Sequence, residues 1–306
     1  MPRHPGVHHV TAIASDPRRN LAFYTRVLGL RLVKKTVNFD DPGAYHLYYG
    51  DEAGRPGTIL TFFPWPGARE GRSGLGFTHE TLLRIPESAI GFWTGRLVAH
   101  GLTHEAPETR FGRKILPFRD PDGLRLGLIG IAEAGAEPGW GGGEIPAEHA
   151  IRGIEGVTLL VADESPTGAV LTEAMGYREG GREGTLVRYV SPGGFVDLRV
   201  APGFPRGASG AGSVHHVAFR AGDDAEQAAM GERLAGLGLH ATEQKDRNYF
   251  RSIYAREPGG VLFEIATDSP GFAVDEPANA LGTALKLPAQ YEGHRAAIEA
   301  ALPALD

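Results

Sequence analysis

The chain has 306 residues, enough for about two domains with sizeable cores, and its 42% hydrophobic and 22% charged residues are ordinary for a globular protein. A formal net charge of −6 argues against a broad nucleic-acid surface, which needs excess Lys and Arg. The absence of cysteine excludes disulfides, zinc–thiolate sites, iron–sulfur clusters and a cysteine nucleophile, so any metal must be bound by His, Asp, Glu or Tyr.

The sequence does not predict export or membrane insertion. The N-terminus, MPRHPGVHHV, lacks an apolar core of signal-peptide length, and no run approaches the roughly 18 apolar residues of a membrane helix. We therefore expect a cytoplasmic protein with no membrane contact.

The chain is predicted to repeat one strand–helix pattern four times. Short apolar strands begin at four positions: His8, Thr78, Glu155 and His215. Each is followed by an amphipathic helical stretch that ends in Gly plus an apolar residue: Gly29-Leu30, Gly101-Leu102, Gly176-Tyr177 and Gly238-Leu239. Glycine accepts the left-handed conformation that ends a helix, so these four pairs predict helix ends.

Strand-like segments follow each helix, and the last is introduced by a turn rich in Pro and Gly: RPGTILTFF, DPDGLRLGLI, SPGGFVDLRV and EPGGVLFEIA. The predicted unit is therefore βαβββ, and the predicted fold class is α+β, with four such modules in two domains. Residues 132–146 are rich in Gly, Pro and Glu and are predicted to link an N-terminal pair of modules, 5–131, to a C-terminal pair, 147–275. Residues 276–306 are predicted to form a helical tail.

Aligning the modules brings candidate metal ligands into two columns. In the first strands the column contains His9, His79, Gly156 and His216. In the last strands, aligned on the proline of the turn, it contains Phe62, Gly127, Leu198 and Glu264. Asp197 is one residue out of register with this second column, and because side chains alternate along a strand we expect it to face the other side of its sheet. Only the fourth module then has a ligand-capable residue in both columns.

A site shared by the first and fourth modules would contain His9, His216 and Glu264, with Phe62 at the fourth position. Two histidines and one carboxylate form a facial triad that leaves coordination positions open and suits non-haem Fe(II) chemistry with O₂. Pairing the third module with the fourth would leave only two ligands, so the ligand set predicts that the first and fourth modules are neighbours. The alternative, structural histidines and an exposed carboxylate, is disfavoured by the matching HHV doublets and by the apolar neighbours of Glu264. His79 has no partner carboxylate in its module and is interpreted as structural.

Several stretches resemble one family of enzymes: GVHHVTAIA, VKKTVNFDDPGAYHLYYGD, GRPGTILTFFPWP, VHHVAF and DRNYFRSIYAREPGGVLFE. They are similar to hydroquinone-type ring-cleaving dioxygenases, such as the dichlorohydroquinone 1,2-dioxygenases, within the vicinal-oxygen-chelate superfamily of glyoxalases, bleomycin-resistance proteins and dioxygenases. The resemblance covers most of the chain but not its extreme C-terminus. It implies metal ligands at His9, His216 and Glu264, and it implies substrate-pocket residues at Thr11, His215, Arg247 and Tyr254.

The resemblance also implies an activity, an Fe(II)-dependent, extradiol-type cleavage of a hydroquinone-like or other diphenolic ring by O₂. Mn(II) or another divalent metal is the alternative cofactor. Arg247 could stabilise phenolate or superoxide charge, and His215 or Tyr254 could donate or accept the hydroxyl proton. Strand alternation alone would turn His215 away from the metal, so its role rests on the resemblance.

Two other functions are left open by the sequence. A glyoxalase-like isomerase or lyase on the same scaffold would use Zn or Ni and a carboxylate as proton shuttle, but the ligand columns offer only one carboxylate. A metal-free resistance protein that sequesters an aromatic drug would not require three ligands in register. The expected partners are therefore a small aromatic substrate and O₂, without nucleic acid, and assembly into a homo-oligomer is left open.

Overall fold

The computed structural model describes residues 5–305; Asp306, the last residue of the predicted tail, lies outside the described residues. Within 5–305, sixteen strands and five α-helices follow one another as β, α and three β, four times over, with one helix in the tail. The α+β class and the four βαβββ modules are therefore confirmed.

The first two modules precede residue 132. Module 1 contains β1 (Val7–Ala14), α1 (Pro17–Ala22), β2 (Arg31–Val37), β3 (Tyr45–Gly50) and β4 (Ile59–Pro64). Module 2 contains β5 (Phe77–Pro86), α2 (Ile90–Ala99), β6 (Glu108–Arg110), β7 (Arg113–Arg119) and β8 (Arg125–Ile131).

The other two modules begin after residue 152. Module 3 contains β9 (Gly153–Val161), α3 (Glu164–Ala169), β10 (Arg178–Glu183), β11 (Leu186–Ser191) and β12 (Gly194–Val200). Module 4 contains β13 (Val214–Ala221), α4 (Asp224–Gly236), β14 (Lys245–Asp246), β15 (Arg251–Arg256) and β16 (Leu262–Thr267). A fifth helix, α5 (Arg295–Ala301), lies in the tail.

Aspartates and glycines mark the ends of the module helices. The N-cap Asp16 accepts a hydrogen bond from the backbone N–H of Arg19 at 2.9 Å, and Asp163 and Asp223 cap α3 and α4 with the same kind of bond. The glycines predicted to follow the helices all have positive φ: Gly29, Gly101, Gly176 and Gly238. The predicted helix ends are therefore confirmed, since this backbone conformation is accessible to glycine at low cost.

The modules pair across the two halves of the sequence. One eight-stranded sheet has the order β14-β15-β16-β13-β1-β4-β3-β2 and joins module 4 to module 1. The other has the order β10-β11-β12-β9-β5-β8-β7-β6 and joins module 3 to module 2. The predicted pairing of the first and fourth modules is confirmed, because β1 and β13 are hydrogen-bonded antiparallel neighbours. The sheets do not follow the predicted division at 132–146, since each takes one module from 5–131 and one from 147–275.

The tail packs on module 1. Leu285 forms an isolated backbone β-bridge with Lys35 of β2, and the side chains of Leu287 and Ile298 are buried in the core. Nζ of Lys34, which is fully buried, donates to carboxylates of Asp275 and Glu276. The predicted helical character is thus limited to α5 and short 3₁₀ turns, and the tail lies along the edge of the first–fourth sheet.

No helix within residues 5–305 combines the length and the apolar character needed to cross a membrane.

Candidate metal centre and active site

Three side chains of the first–fourth sheet converge on one point. His9 lies on β1, His216 on the adjacent β13 and Glu264 on β16, which pairs with β13. The Nε2 atoms of His9 and His216 are 3.4 Å apart, and they lie 3.3 and 2.8 Å from Oε2 of Glu264. The sheet therefore brings together the three residues predicted from the sequence as ligands.

The donor set fits a divalent metal. All three side chains are buried, and Oε2 of Glu264 makes no well-aligned hydrogen bond although both imidazoles lie close to it. Ligand atoms about 2.0–2.2 Å from a first-row ion lie roughly 3 Å from one another. The separations among these three atoms match that spacing, and two imidazoles with one carboxylate leave coordination positions open.

The electrostatics of the cluster favour the protonation states that bind metals. Burial alone would raise the pKa of Glu264, but His9 and His216 hold it well below its usual range, so the carboxylate is ionised. Burial lowers the pKa of His216 and keeps its imidazole neutral. An ionised carboxylate and a neutral imidazole are the forms that coordinate a metal.

β-Bulges determine where the residue before each of the two histidines points. The register between β1 and β13 shifts at both HHV doublets, so His8 and His215 are the extra residues of two bulges. Nδ1 of His8 lies 2.9 Å from Nδ1 of His9, and Nδ1 of His215 lies 2.8 Å from Nδ1 of His216. The bulges interrupt strand alternation, which the sequence argument about His215 assumed. Each first histidine is placed to fix the ring orientation and tautomer of the second.

The neighbouring strand orients Glu264. Oγ of Ser252 on β15 donates a 2.5 Å hydrogen bond to Oε1 of Glu264, which leaves Oε2 for the histidines. Sequence reasoning missed both Ser252 and His8. The repeated HHV doublet was a signal for His8, whereas a single strand serine gives none.

A cavity of about 330 Å³ opens on the cluster. His215, Arg247 and Tyr254, which the resemblance places in a substrate pocket, line this cavity. Nε of Arg247 donates to the hydroxyl of Tyr254 at 3.2 Å, and its Nη2 lies 3.2 Å from the exposed carboxylate of Asp40. Thr11, the fourth predicted pocket residue, is fully buried in β1 and is not among the residues of the cavity wall.

The second ligand column was misaligned in modules 1 and 3. Glu264 pairs with Tyr254 of β15, and the residue of β4 that pairs with the corresponding Tyr48 of β3 is Thr61. Phe62 instead packs against Tyr24 on the other face of the sheet, with ring centroids 4.4 Å apart. The fourth position of the site is therefore a buried threonine and not an apolar ring.

The cause is the length of the turn that follows the proline. From Pro56 the strand begins at Ile59, whereas from Pro258 it begins at Leu262, one residue later. Where the turn is shorter, alignment on the proline therefore selects a strand residue one position too late. The side chain of that residue points to the opposite face of the sheet.

The first ligand column was also displaced in module 2. In module 4 the second-column residue Glu264 pairs with Ala218, which lies two positions after the first-column residue His216. The same offset identifies the first-column residue of module 2. In module 2 the residue opposite Gly127 is Leu82, so the first-column residue is Glu80. His79 is the bulge residue that corresponds to His8, is half-buried and lies 3.3 Å from Oγ of Ser73.

Asp197 occupies the second-column position of module 3, contrary to the expectation that it faces away. It pairs with Arg188 of β11 as Glu264 pairs with Tyr254, and it is fully buried. Arg188 donates to both its oxygens, at 2.8 and 2.7 Å, and Arg110 donates to both oxygens of Glu80, at 2.5 and 3.1 Å. In the second–third sheet two guanidinium groups therefore neutralise the carboxylates at the positions that correspond to the metal cluster.

Comparisons with known proteins agree with this architecture. Residues 6–128 match the Glyoxalase/Bleomycin resistance protein/Dioxygenase superfamily. MhqO of Bacillus subtilis (strain 168), provisionally named a ring-cleaving dioxygenase, is 48% identical over 97% of this chain and 95% of its own. The chlorohydroquinone/hydroquinone 1,2-dioxygenase of Sphingobium indicum is 34% identical over 94% of this chain and 92% of its own.

Solved structures show the same fold. A Bacillus subtilis structure provisionally named a dioxygenase superposes with a TM-score of 0.93, with 46% identity over 98% of this chain and 97% of its own. Glyoxalase I from Zea mays superposes with a TM-score of 0.64 and 15% identity over 87% of this chain and 93% of its own, which shows the fold alone. The repeated βαβββ modules and the extent of these similarities place the chain in the glyoxalase/bleomycin resistance protein/dioxygenase superfamily, in the group of its ring-cleaving dioxygenases.

Proposed function

We propose that the protein is an Fe(II)-dependent, extradiol-type dioxygenase that cleaves a hydroquinone-like diphenol with O₂. The observation that carries the proposal is a buried cluster of two histidines and one glutamate at the base of a cavity that also contains an arginine and a tyrosine. The relative from Sphingobium indicum is named for hydroquinone substrates, which supports this choice of ring. Mn(II) or another divalent ion is the alternative metal.

His9, His216 and Glu264 would hold the metal. A divalent iron bound there supplies the redox chemistry with O₂ that ring cleavage requires. His8 and His215 hold the outer nitrogens of the two imidazoles, so that Nε2 of each ring faces the cluster.

Arg247 and Tyr254 would act on the substrate's hydroxyl. Burial raises the pKa of Tyr254 above its usual range, so the phenol keeps its proton and can donate a hydrogen bond to a phenolate oxygen. The guanidinium of Arg247 stays charged and stabilises the same negative charge. Phe63 and Phe250 give the cavity apolar walls that pack a ring and exclude water.

An isomerase or lyase of the glyoxalase type is disfavoured by the residue of module 1 that is equivalent to Glu264 of module 4. A proton shuttle needs a second carboxylate at that position, and the residue there is Thr61. A binding protein without a metal is disfavoured because it does not need an ionised glutamate buried between two imidazoles.

Anaerobic reconstitution with Fe(II), followed by oxygen-electrode assays with hydroquinones and catechols, tests the proposal. We expect O₂ uptake with at least one diphenol and incorporation of both oxygen atoms into the product. His9→Ala should lose bound iron and activity, while the control His79→Ala, at the bulge of the other sheet, should keep both. Tyr254→Phe should keep iron but turn over more slowly. If the loaded protein consumes no O₂ with any diphenol but isomerises a thiol hemithioacetal, the proposal is wrong.

A further inference from the structure

The cavity has a second polar wall, built by module 1. Strand β15 places Ser252 and Tyr254 on one side of the metal cluster, and β3 places His46 and Tyr48 at the corresponding positions on the other. The strands β16, β13, β1 and β4 separate β15 from β3 in the sheet. The two tyrosines therefore approach the cavity from opposite flanks.

His46 and Tyr48 form a connected pair. Nδ1 of His46 lies 2.8 Å from the hydroxyl of Tyr48, and Nε2 of His46 is hydrogen-bonded to Oγ1 of Thr61. The imidazole packs against the rings of Tyr48 and Phe63, with centroids 4.0 and 4.3 Å away. All three polar side chains are at most 9% exposed, so their positions are set by the sheet.

The hydroxyl of Tyr48 keeps one hydrogen-bonding function for a ligand. If Nδ1 of His46 is the acceptor, the hydroxyl donates to it and its oxygen can still accept. If Nδ1 carries the proton, the hydroxyl accepts from it and can still donate. Thr61 holds the other nitrogen in both cases, so the pair is satisfied internally and stays oriented before a ligand enters.

We propose that His46 and Tyr48 are a second polar anchor, which binds the diphenol hydroxyl that lies across the ring from the one beside the metal. This rests on the proposed function. Arg247 and Tyr254 would contact the metal-side hydroxyl, and Tyr48 would contact the far one. A cavity that has a polar group on each flank and apolar rings between them selects para-diphenols over monophenols of the same shape.

The test compares hydroquinone with 4-methylphenol, which replaces the far hydroxyl by a methyl group. Binding of each to the Fe(II)-loaded protein is measured by calorimetric titration without O₂, so that no turnover occurs. Tyr48→Phe should raise the Kd of hydroquinone about fivefold to tenfold, the effect of one lost hydrogen bond, and change that of 4-methylphenol less than about twofold. His46→Phe, which removes the support of Tyr48, should have the same selective effect.

Tyr49→Phe is the matched control. Its hydroxyl donates to Asn20 at 2.8 Å on the other face of the same strand, so its loss should alter neither Kd. Equal weakening of both ligands by Tyr48→Phe, or no weakening, overturns the anchor even if His46→Phe fails to fold. Selective weakening without O₂ uptake would refute the dioxygenase and leave the anchor in place. O₂ uptake without selective weakening would refute the anchor alone.

Discussion

Arg188 supplies the positive charge that balances the buried carboxylate of Asp197 in the second–third sheet. Its removal should therefore destabilise the protein strongly. The side chains of Arg188 and Asp197 are 8% and 0% exposed, joined by two hydrogen bonds, and the guanidinium stacks 3.6 Å from the ring of Phe195. Removing one partner of a buried pair typically costs about 3–5 kcal/mol. We therefore expect Arg188→Met to lower the free energy of unfolding by about that amount, and the Tm by roughly 10 °C.

The pH dependence of this variant provides a second readout. Burial raises the pKa of Asp197 even in the wild type, although the hydrogen bonds and charge of Arg188 oppose the shift. Without Arg188, its folded-state pKa should therefore lie higher still above the unfolded value. A raised folded pKa means that the folded state holds the proton more tightly, so the variant loses stability as pH rises through this range. Its deficit relative to wild type should accordingly be smaller in mild acid than at neutral pH.

Urea unfolding followed by circular dichroism measures both effects. The double variant Arg188→Met with Asp197→Leu should recover most of the loss, because no unpaired charge remains. The control Arg182→Met breaks an exposed pair with Glu164 and should cost less than about 1 kcal/mol. The amount of bound divalent metal should not change in any of these variants. A loss below about 1 kcal/mol in Arg188→Met, or a double variant as unstable as the single one, would refute the reasoning.

Three further predictions concern other parts of the molecule. Burial raises the pKa of Asp120 to about 6, so the stability of wild type relative to Asp120→Asn should fall by about 2 kcal/mol between pH 4 and pH 6; parallel urea titrations that show no such slope would contradict this. Ser252→Ala should weaken metal binding about tenfold to a hundredfold with the fold intact, as measured by competition with a chelator; unchanged affinity would show that Glu264 needs no support. Lys34→Met should leave the carboxylates of Asp275 and Glu276, at the start of the tail, without their ion-pair partner and expose the tail to limited proteolysis, whereas a tail as resistant as in wild type would show that apolar packing alone holds it.

The repeat and the metal cluster could be predicted because they depend on short-range patterns. Strand, helix end and turn recur in each module, and two HHV doublets with one glutamate in an apolar strand leave few alternatives for a ligand set. The pairing of the first module with the fourth followed from that ligand set.

The errors in the ligand columns arise where a shift of one residue along a strand changes the face of the sheet on which a side chain lies. Turn length after the proline differs between modules and moved Phe62 and Leu198 into positions that belong to Thr61 and Asp197. His79 is the extra residue of a β-bulge that the sequence pattern did not predict, so Glu80 and not His79 occupies the ligand column. Strand register is set by hydrogen bonds between distant segments, so alignment of sequence alone could not fix it.

The tail could not be interpreted from the sequence because its contacts are remote. Lys34 and Glu276 are far apart in the chain, and Tyr291 donates from its hydroxyl to the backbone oxygen of Phe39 at 2.9 Å. Phe39 also lines the cavity, so the tail supports one edge of the candidate active site.

The two eight-stranded sheets have the same topology but differ in the residues at the ligand columns. Both sheets carry carboxylates at the second ligand column, Glu264 in one and Asp197 in the other. In the first–fourth sheet the facing strands supply the imidazoles of His9 and His216, and the carboxylate oxygen Oε2 is left without a well-aligned hydrogen bond. In the second–third sheet an arginine supplies the positive charge within the fold. We therefore expect metal binding in the first–fourth sheet and a stabilising role for the buried pair in the second–third sheet, because a carboxylate already paired with a buried guanidinium has no oxygen to offer an incoming cation.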